Sequence, residues 1–493
     1  MKEAAPSTRS VGEKLALAAQ FGLIAGPFLS MVDSNVVNIA LPVMLADFHT
    51  SLAAVQWVLS AYLLASGAAL VSSPYLSKRF GANKVYLLSL LGFTGASGLC
   101  ALAPSLEFLI LARVLQGALG AVMVPLAMDM LLGRGGASRQ ISPAFGIILF
   151  LAPALGPTLG GFLIGVAGWP SIFLINVPLG LLSAFAVSRS LRIPRLHQDQ
   201  APKFDFAGAM ILAAGVVLAL YGASEGPLIG WASNGSLPFW GTGSVLLVAY
   251  AVWAVRRPSP AVDLKLLRNG QTALALVIIT IASTVLFAML FLLPIFMESI
   301  QGKSAEITGL ALLPQGIVTG IGTWIGDRLS RQRSERSIRL TTLLGMGILT
   351  ATTGALLAVG IGTPDLEIAT ILSGRGLALG LTIQPLLYAT IGSLGEREVP
   401  DGNTLFNVMD RLGGSVGVSL LATFFQVREL SYAATLVSTD SSLSLSSSQL
   451  GEAALHGFME TILLLTAAAF VGFLLAVLLR KDDASRVLSR GKP

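Results

Sequence analysis

Residues 31–42 read Met-Val-Asp-Ser-Asn-Val-Val-Asn-Ile-Ala-Leu-Pro and lie inside an apolar run that extends from about Leu15 to Pro42. A helix rises about 1.5 Å per residue, so a run of this length crosses a hydrocarbon core of about 30 Å. Asp33 therefore sits well inside a membrane, where a charge costs about 2.5–3.5 kcal/mol on insertion scales. A carboxylate persists there by facing a polar cavity, by pairing, or by taking up a proton. Two readings of Asp33 follow. It binds and releases a proton or a cationic substrate, or it is paired permanently with a basic residue that ties two helices together.

The rest of the chain agrees with the membrane setting. Of 493 residues, 54% are hydrophobic and 12% charged, against about 25% charged in soluble domains. The expected fold is an all-α polytopic membrane protein. Its 53 glycines suit close helix packing, and apolar residues in continuous runs, without alternation, argue against a β-barrel. The lone Cys100 allows no intramolecular disulfide and no thiol pair. His49, His197 and His456 form no ligand cluster, and there is no zinc motif, Walker loop or nucleophile-elbow serine. No enzyme chemistry and no cofactor is implied. The net charge of +6 marks cytoplasmic loops, not a nucleic-acid surface.

Apolar runs bounded by Pro, Gly and charge predict fourteen spans, at about 15–42, 54–76, 85–103, 107–131, 140–166, 171–188, 206–225, 238–255, 271–298, 306–327, 338–361, 365–393, 402–427 and 455–479. Basic clusters such as Lys78, Arg79 and Lys84, or Arg328, Arg331, Arg333, Arg336 and Arg339, fall on one side of that arrangement. The opposite loops offer little beyond Lys303 and Arg428, so both termini are expected in the cytoplasm. The first apolar run is long enough to span and lacks a small-residue cleavage site, so it is expected to be retained. The segment from Arg189 to Asp205 reads as a cytoplasmic linker, and the Ser- and Leu-rich stretch from Glu429 to Gly451 as an exposed external loop.

Basic residues within spans are Arg113, Arg375 and Arg411. Arg113-Val-Leu-Gln-Gly-Ala-Leu-Gly120 in span four is echoed by Arg375-Gly-Leu-Ala-Leu-Gly380 in span twelve, and Lys78-Arg79-Phe80-Gly81 by Asp327-Arg328. An offset of eight spans implies two six-helix halves with a helix pair inserted between them. The expected division is an amino-terminal bundle at 15–190, a linker and inserted pair at 191–257, a carboxy-terminal bundle at 258–480 and a cytoplasmic tail at 481–493.

With these motifs in view, the chain resembles the major facilitator superfamily, and within it the fourteen-helix drug/proton antiporter branch of multidrug efflux transporters. Leu151 to Gly161 reads Leu-Ala-Pro-Ala-Leu-Gly-Pro-Thr-Leu-Gly-Gly and looks like the antiporter motif of span five. Pro157 weakens a turn, and Gly156, Gly160 and Gly161 permit sliding contact. Arg113, Gln116 and Gly117 match the span-four motif, whose Arg the resemblance implicates in proton transfer near the first helix. Phe173 to Gly180, Phe204 to Gly208, and Glu225-Gly226-Pro227 with Gly230-Trp231 also look like this branch.

The loop after span two departs from the superfamily's latch, because Lys78 stands where most members have Asp. This puts in doubt the usual carboxylate latch of that half, while Asp327-Arg328 keeps the acidic form in the other. Arg79 is placed to reach Asp129. A Lys here also resembles exporters that work with a periplasmic adaptor protein.

Substrate contacts are expected from Gln56, Tyr62, Gln116, Glu298, Asn407 and Asp410, polar groups suited to an amphipathic guest. Asp410 and Arg411 point about 100° apart on a helix, so they are not expected to satisfy each other directly and at least one needs another partner. The function implied is a proton-coupled exporter of amphipathic, cationic or lipophilic compounds in the cell's inner membrane. Two alternatives stand beside it: a same-fold exporter of an endogenous metabolite, lipid or peptide, and a non-transporting membrane sensor or scaffold.

Overall fold

The computed structural model describes residues 8–132, 156, 158–190, 205–258, 260–330, 335–392, 394, 398–440 and 447–479. Every regular element among them is helical: α1 Thr8–Asp47, α2 Leu52–Val55, α3 Trp57–Phe80, α4 Ala82–Ala101, α5 Leu106–Leu132, α6 Thr158–Ala167, α7 Ser171–Leu174 and α8 Asn176–Ser190. Then come α9 Phe206–Ile229, α10 Leu237–Arg256, α11 Gly270–Ile295, α12 Ala305–Ser330, α13 Glu335–Ala355, α14 Asp365–Gly392, α15 Val399–Asp440 and α16 Ser447–Val477. Polar residues mark several ends. Ser51, Asp205 and Asn269 accept backbone N–H groups at the starts of α2, α9 and α11, and Gly81 closes α3 at φ 86°, a conformation that L side chains rarely adopt.

Twelve helices among the described residues are long and apolar enough to cross a membrane, against fourteen expected. Most of the expected fifth span, including Pro157, lies outside the described residues, and its remainder is the short apolar α6. The expected tenth is α12, a 26-residue helix whose apolar character is diluted by glycine, threonine and Gln315.

Packing repeats along the chain. In the first group α3 lies on α5, α4 on α5 and α8, and α1 on α5 and α8. In the second, α12 lies on α14, α13 on α14 and α16, and α11 on α14 and α16. Where α12 meets α14 the backbones touch: a Cβ on Gly376 would come within 2.2 Å of the Gln315 carbonyl oxygen, and one on Gly380 within 2.3 Å of the Thr323 nitrogen. Small residues let helices approach this closely without an apolar driving force.

The pair α9–α10 packs on itself, and α9 also touches α3 and α15. Asp205 ties its base, accepting Trp253 Nε1–H at 3.0 Å and the Ala261 N–H at 3.3 Å.

The expected loop from Glu429 to Gly451 is corrected by the structure: α15 continues to Asp440 and α16 begins at Ser447. Its 42 residues make α15 about 60 Å long, twice the hydrocarbon thickness. Polar contacts hold the extended pair together. Arg428 binds the Glu460 carboxylate, the Tyr432 ring stacks on His456 at 4.1 Å, and the Tyr432 hydroxyl bonds Glu452. Low hydropathy reads as loop, but helices joined by polar side chains need not be apolar.

Candidate functional site

Four helices bring polar side chains to one fully buried carboxylate. Asp33, midway along α1, has no exposed surface. Its Oδ2 accepts from Arg113 Nη1 of α5 at 2.5 Å, and its Oδ1 accepts from Gln116 Nε2 of α5 and Asn176 Nδ2 of α8, each at 2.9 Å. Gln116 Nε2 also donates to Ser97 Oγ of α4 at 2.7 Å. Gln116 Oε1 accepts from Arg113 Nη1 at 2.7 Å and from Cys100 Sγ at 3.5 Å. Arg113 and Gln116 lie three residues apart on α5, which puts them on one face of the helix.

Arg113 is also fully buried. Its Nε donates to the Val58 carbonyl of α3 at 3.1 Å, and the guanidinium lies 4.0 Å from the Tyr62 ring centroid and 5.6 Å from that of Phe173. Tyr62 in turn donates through its hydroxyl to the Ser30 carbonyl at 3.2 Å. One arm, Nη2, has no hydrogen-bond partner among the described residues. The pair is neutral as a unit, and its low-dielectric surroundings strengthen each contact. Three donors aim at Asp33, all suited to a carboxylate. A proton added to Oδ2 would face the Arg113 N–H, donor against donor.

The other residues singled out by sequence fall in separate places. Gln56 is buried, donates to Ser419 Oγ of α15 at 3.3 Å, and is engaged between the two groups of helices without facing open space. Tyr62 likewise lies beneath Arg113. Asp410 Oδ1 accepts from Ser283 Oγ at 2.5 Å, and its Oδ2 stands 4.0 Å from Arg411 Nε. The two charges therefore do meet, at the outer limit of an ion pair, with each side chain about a quarter exposed. Asn407 bonds the Asn403 carbonyl one turn back, at 2.8 Å. Glu298 lies in a π-helical turn, Phe296–Ile300, and its buried Oε1 has no partner among the described residues.

Gly156 and Gly160 press on α1, where added Cβ atoms would come within 3.2 Å of the Val32 and 3.1 Å of the Val36 carbonyl oxygens. Gly161 abuts the Ala305 carbonyl at the start of α12, and Thr158 donates to the Gly309 carbonyl at 3.2 Å. Asp327 accepts from the Tyr388 hydroxyl at 2.5 Å, and Arg328 lies over Trp324. Arg79 is exposed. Pro157 and the side chains of Lys78 and Asp129 lie outside the described residues.

Sequence reasoning did not single out Asn176, Ser97, Ser30 or Cys100 as parts of this network. Asn176 carries a signal of the same kind as Asp33, a polar group inside an apolar run. Ser97 carries none, since small hydroxyl residues are common between membrane helices.

The profile of the Major Facilitator Superfamily matches residues 23–418. The Multidrug resistance protein B homolog of Mycobacterium tuberculosis (strain ATCC 25618 / H37Rv) is 31% identical over 408 residues, 80% of this chain and 73% of that protein. The Methylenomycin A resistance protein of Bacillus subtilis is 27% identical, covering 87% and 90%, and the Probable actinorhodin transporter of Streptomyces coelicolor 28%, covering 83% and 72%. Among solved structures, a bacterial homolog of the human lysosomal transporter Spinster, inward-facing and unoccupied, superposes with a TM-score of 0.62 at 14% identity, covering 98% of this chain and 100% of that one. This last likeness speaks to the fold.

Proposed function

Because this chain belongs to the Major Facilitator Superfamily, and so is a multi-pass membrane transporter of small molecules and not an enzyme, we propose that it exports amphipathic compounds in exchange for protons by alternating access. The observation that carries the reading is Asp33, a membrane-buried carboxylate joined to Arg113 and to two further donors, Gln116 on the same helix and Asn176 on α8. Protonation removes the acceptor charge and turns one oxygen into a donor, so Arg113 must give way. A ligand that rearranges these contacts shifts the balance of conformations by its differential affinity. About 2.3 kcal/mol per charge per 100 mV is available to drive extrusion.

Relatives named for multidrug resistance, methylenomycin A resistance and actinorhodin transport support an organic, amphipathic cargo, cationic or lipophilic in this reading. Fourteen crossings follow if α12 spans and residues 140–166 supply the fifth. On this reading the protein lies in the inner membrane, and the side on which its basic loops fall supports both termini in the cytoplasm. Gly156, Pro157, Gly160 and Gly161 serve as a sliding contact, and Arg79, Asp129, Asp327 and Arg328 as inner-side gating groups. A periplasmic adaptor remains part of the proposal on the strength of Lys78.

The test is reconstitution into liposomes. An imposed inward proton gradient should drive a fluorescent lipophilic cation or a neutral dye against its gradient, and Asp33→Asn should abolish this coupling. No movement of any of these cargoes under the gradient, or an Asp33→Asn variant coupled as well as the parent, overturns the proposal.

A further inference from the structure

The start of α3 does two things at once. Gln56, where α2 ends and α3 begins, donates across to Ser419 Oγ of α15 at 3.3 Å, and its Oε1 accepts from Ser60 Oγ at 2.9 Å. Three residues earlier the Ala53 N–H donates to Gln426 Oε1 of α15 at 3.2 Å. These bonds join the amino-terminal helices to the carboxy-terminal ones. Between Gln56 and Ser60 lies Val58, whose carbonyl accepts from Arg113 Nε at 3.1 Å. That guanidinium is the one held by Asp33.

We infer that residues 56–60 transmit the state of Asp33 to the contact between the two groups of helices, with Gln56 and Ser419 as its latch. The inference rests on the proton-coupled reading above. When Asp33 ceases to accept from Nη1, the guanidinium keeps its hold on Val58 and on Gln116, and its displacement is passed to a single turn of α3. That turn lies near the start of the helix, where Ser51 caps α2 and Gln56 joins α2 to α3 in helical conformation, and the first turns of a helix carry fewer intrahelical bonds than its interior. A tilt of this turn moves Gln56 relative to Ser419, and a hydrogen bond already at 3.3 Å is lost with a small further separation.

The site of the latch fits a gate. Thr158 to Gly309 and Gly161 against Ala305 also cross between the groups, near the helix ends that the basic loops make external. Gln56 is thus a positioning residue that acts through Val58 and Arg113 and needs no contact with cargo. The titratable or charged groups facing Asp33 are Arg113 from α5, Cys100 from α4 through Gln116, and Tyr62 from α3 beneath the guanidinium. From α15, Arg411 lies against Gly67, a turn and a half beyond Tyr62, with Asp410 beside it. Asp33→Asn separates the carboxyl's contribution from theirs.

The experiment is a pulsed electron spin resonance distance measurement on the full chain in nanodiscs. Labels go on Ala46→Cys of α1 and Ser431→Cys of α15, both exposed, while the buried Cys100 stays unlabelled. Distances are compared at mildly acidic and mildly alkaline pH, with proton uptake followed by an indicator dye. The parent pair should shift with pH. Gln56→Ala and Ser419→Ala, which cut one bond from opposite sides, should each lose that shift while still taking up the proton that Asp33→Asn does not.

If both variants shift as the parent does, the latch is refuted and the proton-coupled reading stands. If the parent shows no shift and the same proton uptake as Asp33→Asn, the underlying reading fails and the latch with it. Loss of proton uptake in both latch variants would also refute the latch, since it would place Gln56 in the proton site's own structure.

Discussion

Two buried arginines occupy matching places in the repeat and have different surroundings. Arg113 meets Asp33 at 2.5 Å, whereas Arg375 of α14 donates to Thr353 Oγ1 at 2.5 Å and the Val285 carbonyl at 3.3 Å. No ion pair involves Arg375 among the described residues. Removing one partner of a buried pair leaves an uncompensated charge and costs about 3–5 kcal/mol. Arg113→Met is therefore expected to lower thermal stability markedly, and Asp33→Asn likewise. The double variant should recover part of the loss, with a coupling of about 0.5–3 kcal/mol in a double-mutant cycle, without recovering transport. The Arg113→Met loss should shrink as pH falls, because a lone carboxylate can be neutralised by a proton and a lone guanidinium cannot. Arg375→Met leaves no acid unpaired, so its melting temperature should stay near the parent's or rise. Both arginines are visible in the sequence as charges in apolar runs, but only neighbours on other helices distinguish them.

Helices pack here by two different means, and each yields an expectation. At the α12–α14 contact Gly380 leaves no room for a side chain, so Gly380→Val should destabilise by about 1–3 kcal/mol or more, through overpacking against backbone. Gly241→Val on α10, where nothing lies within 4 Å of the added atom, should change the melting temperature little. The α15–α16 pair is held beyond its apolar part by Arg428, Glu460, Tyr432 and His456. Arg428→Ala removes a solvent-screened ion pair of small effect on its own. Tyr432→Ala also removes a stacked ring. The double variant should speed amide hydrogen exchange in residues 428–437 while leaving α11 unchanged, as measured by mass spectrometry. The serine-rich composition of this stretch predicted a loop because side-chain contacts between helices leave no periodic apolar mark.

Across the whole molecule the helices before α9 and after α10 repeat one packing scheme, bridged by α15 against α3 and by α1 against α11. A cytoplasm-reporting fusion at the carboxy terminus should fluoresce if the basic loops face inward, and silence there would reverse the orientation. By itself the sequence determined the membrane class, the apolar runs that became twelve long helices, the motif shared by Arg113 and Arg375, and the anomaly of Asp33. These are legible along one dimension because a bilayer imposes a one-dimensional demand: each crossing must be apolar and about 20 residues long, so each exception stands out. The tertiary structure alone decided that Asn176 and Ser97 join Asp33, that Gln56 turns to Ser419, and that Arg375 meets no acid among the described residues. Those pairings depend on how each helix is rotated against the others. Lipid and protein interior are equally apolar, so the hydropathy of a span leaves its inward face unmarked.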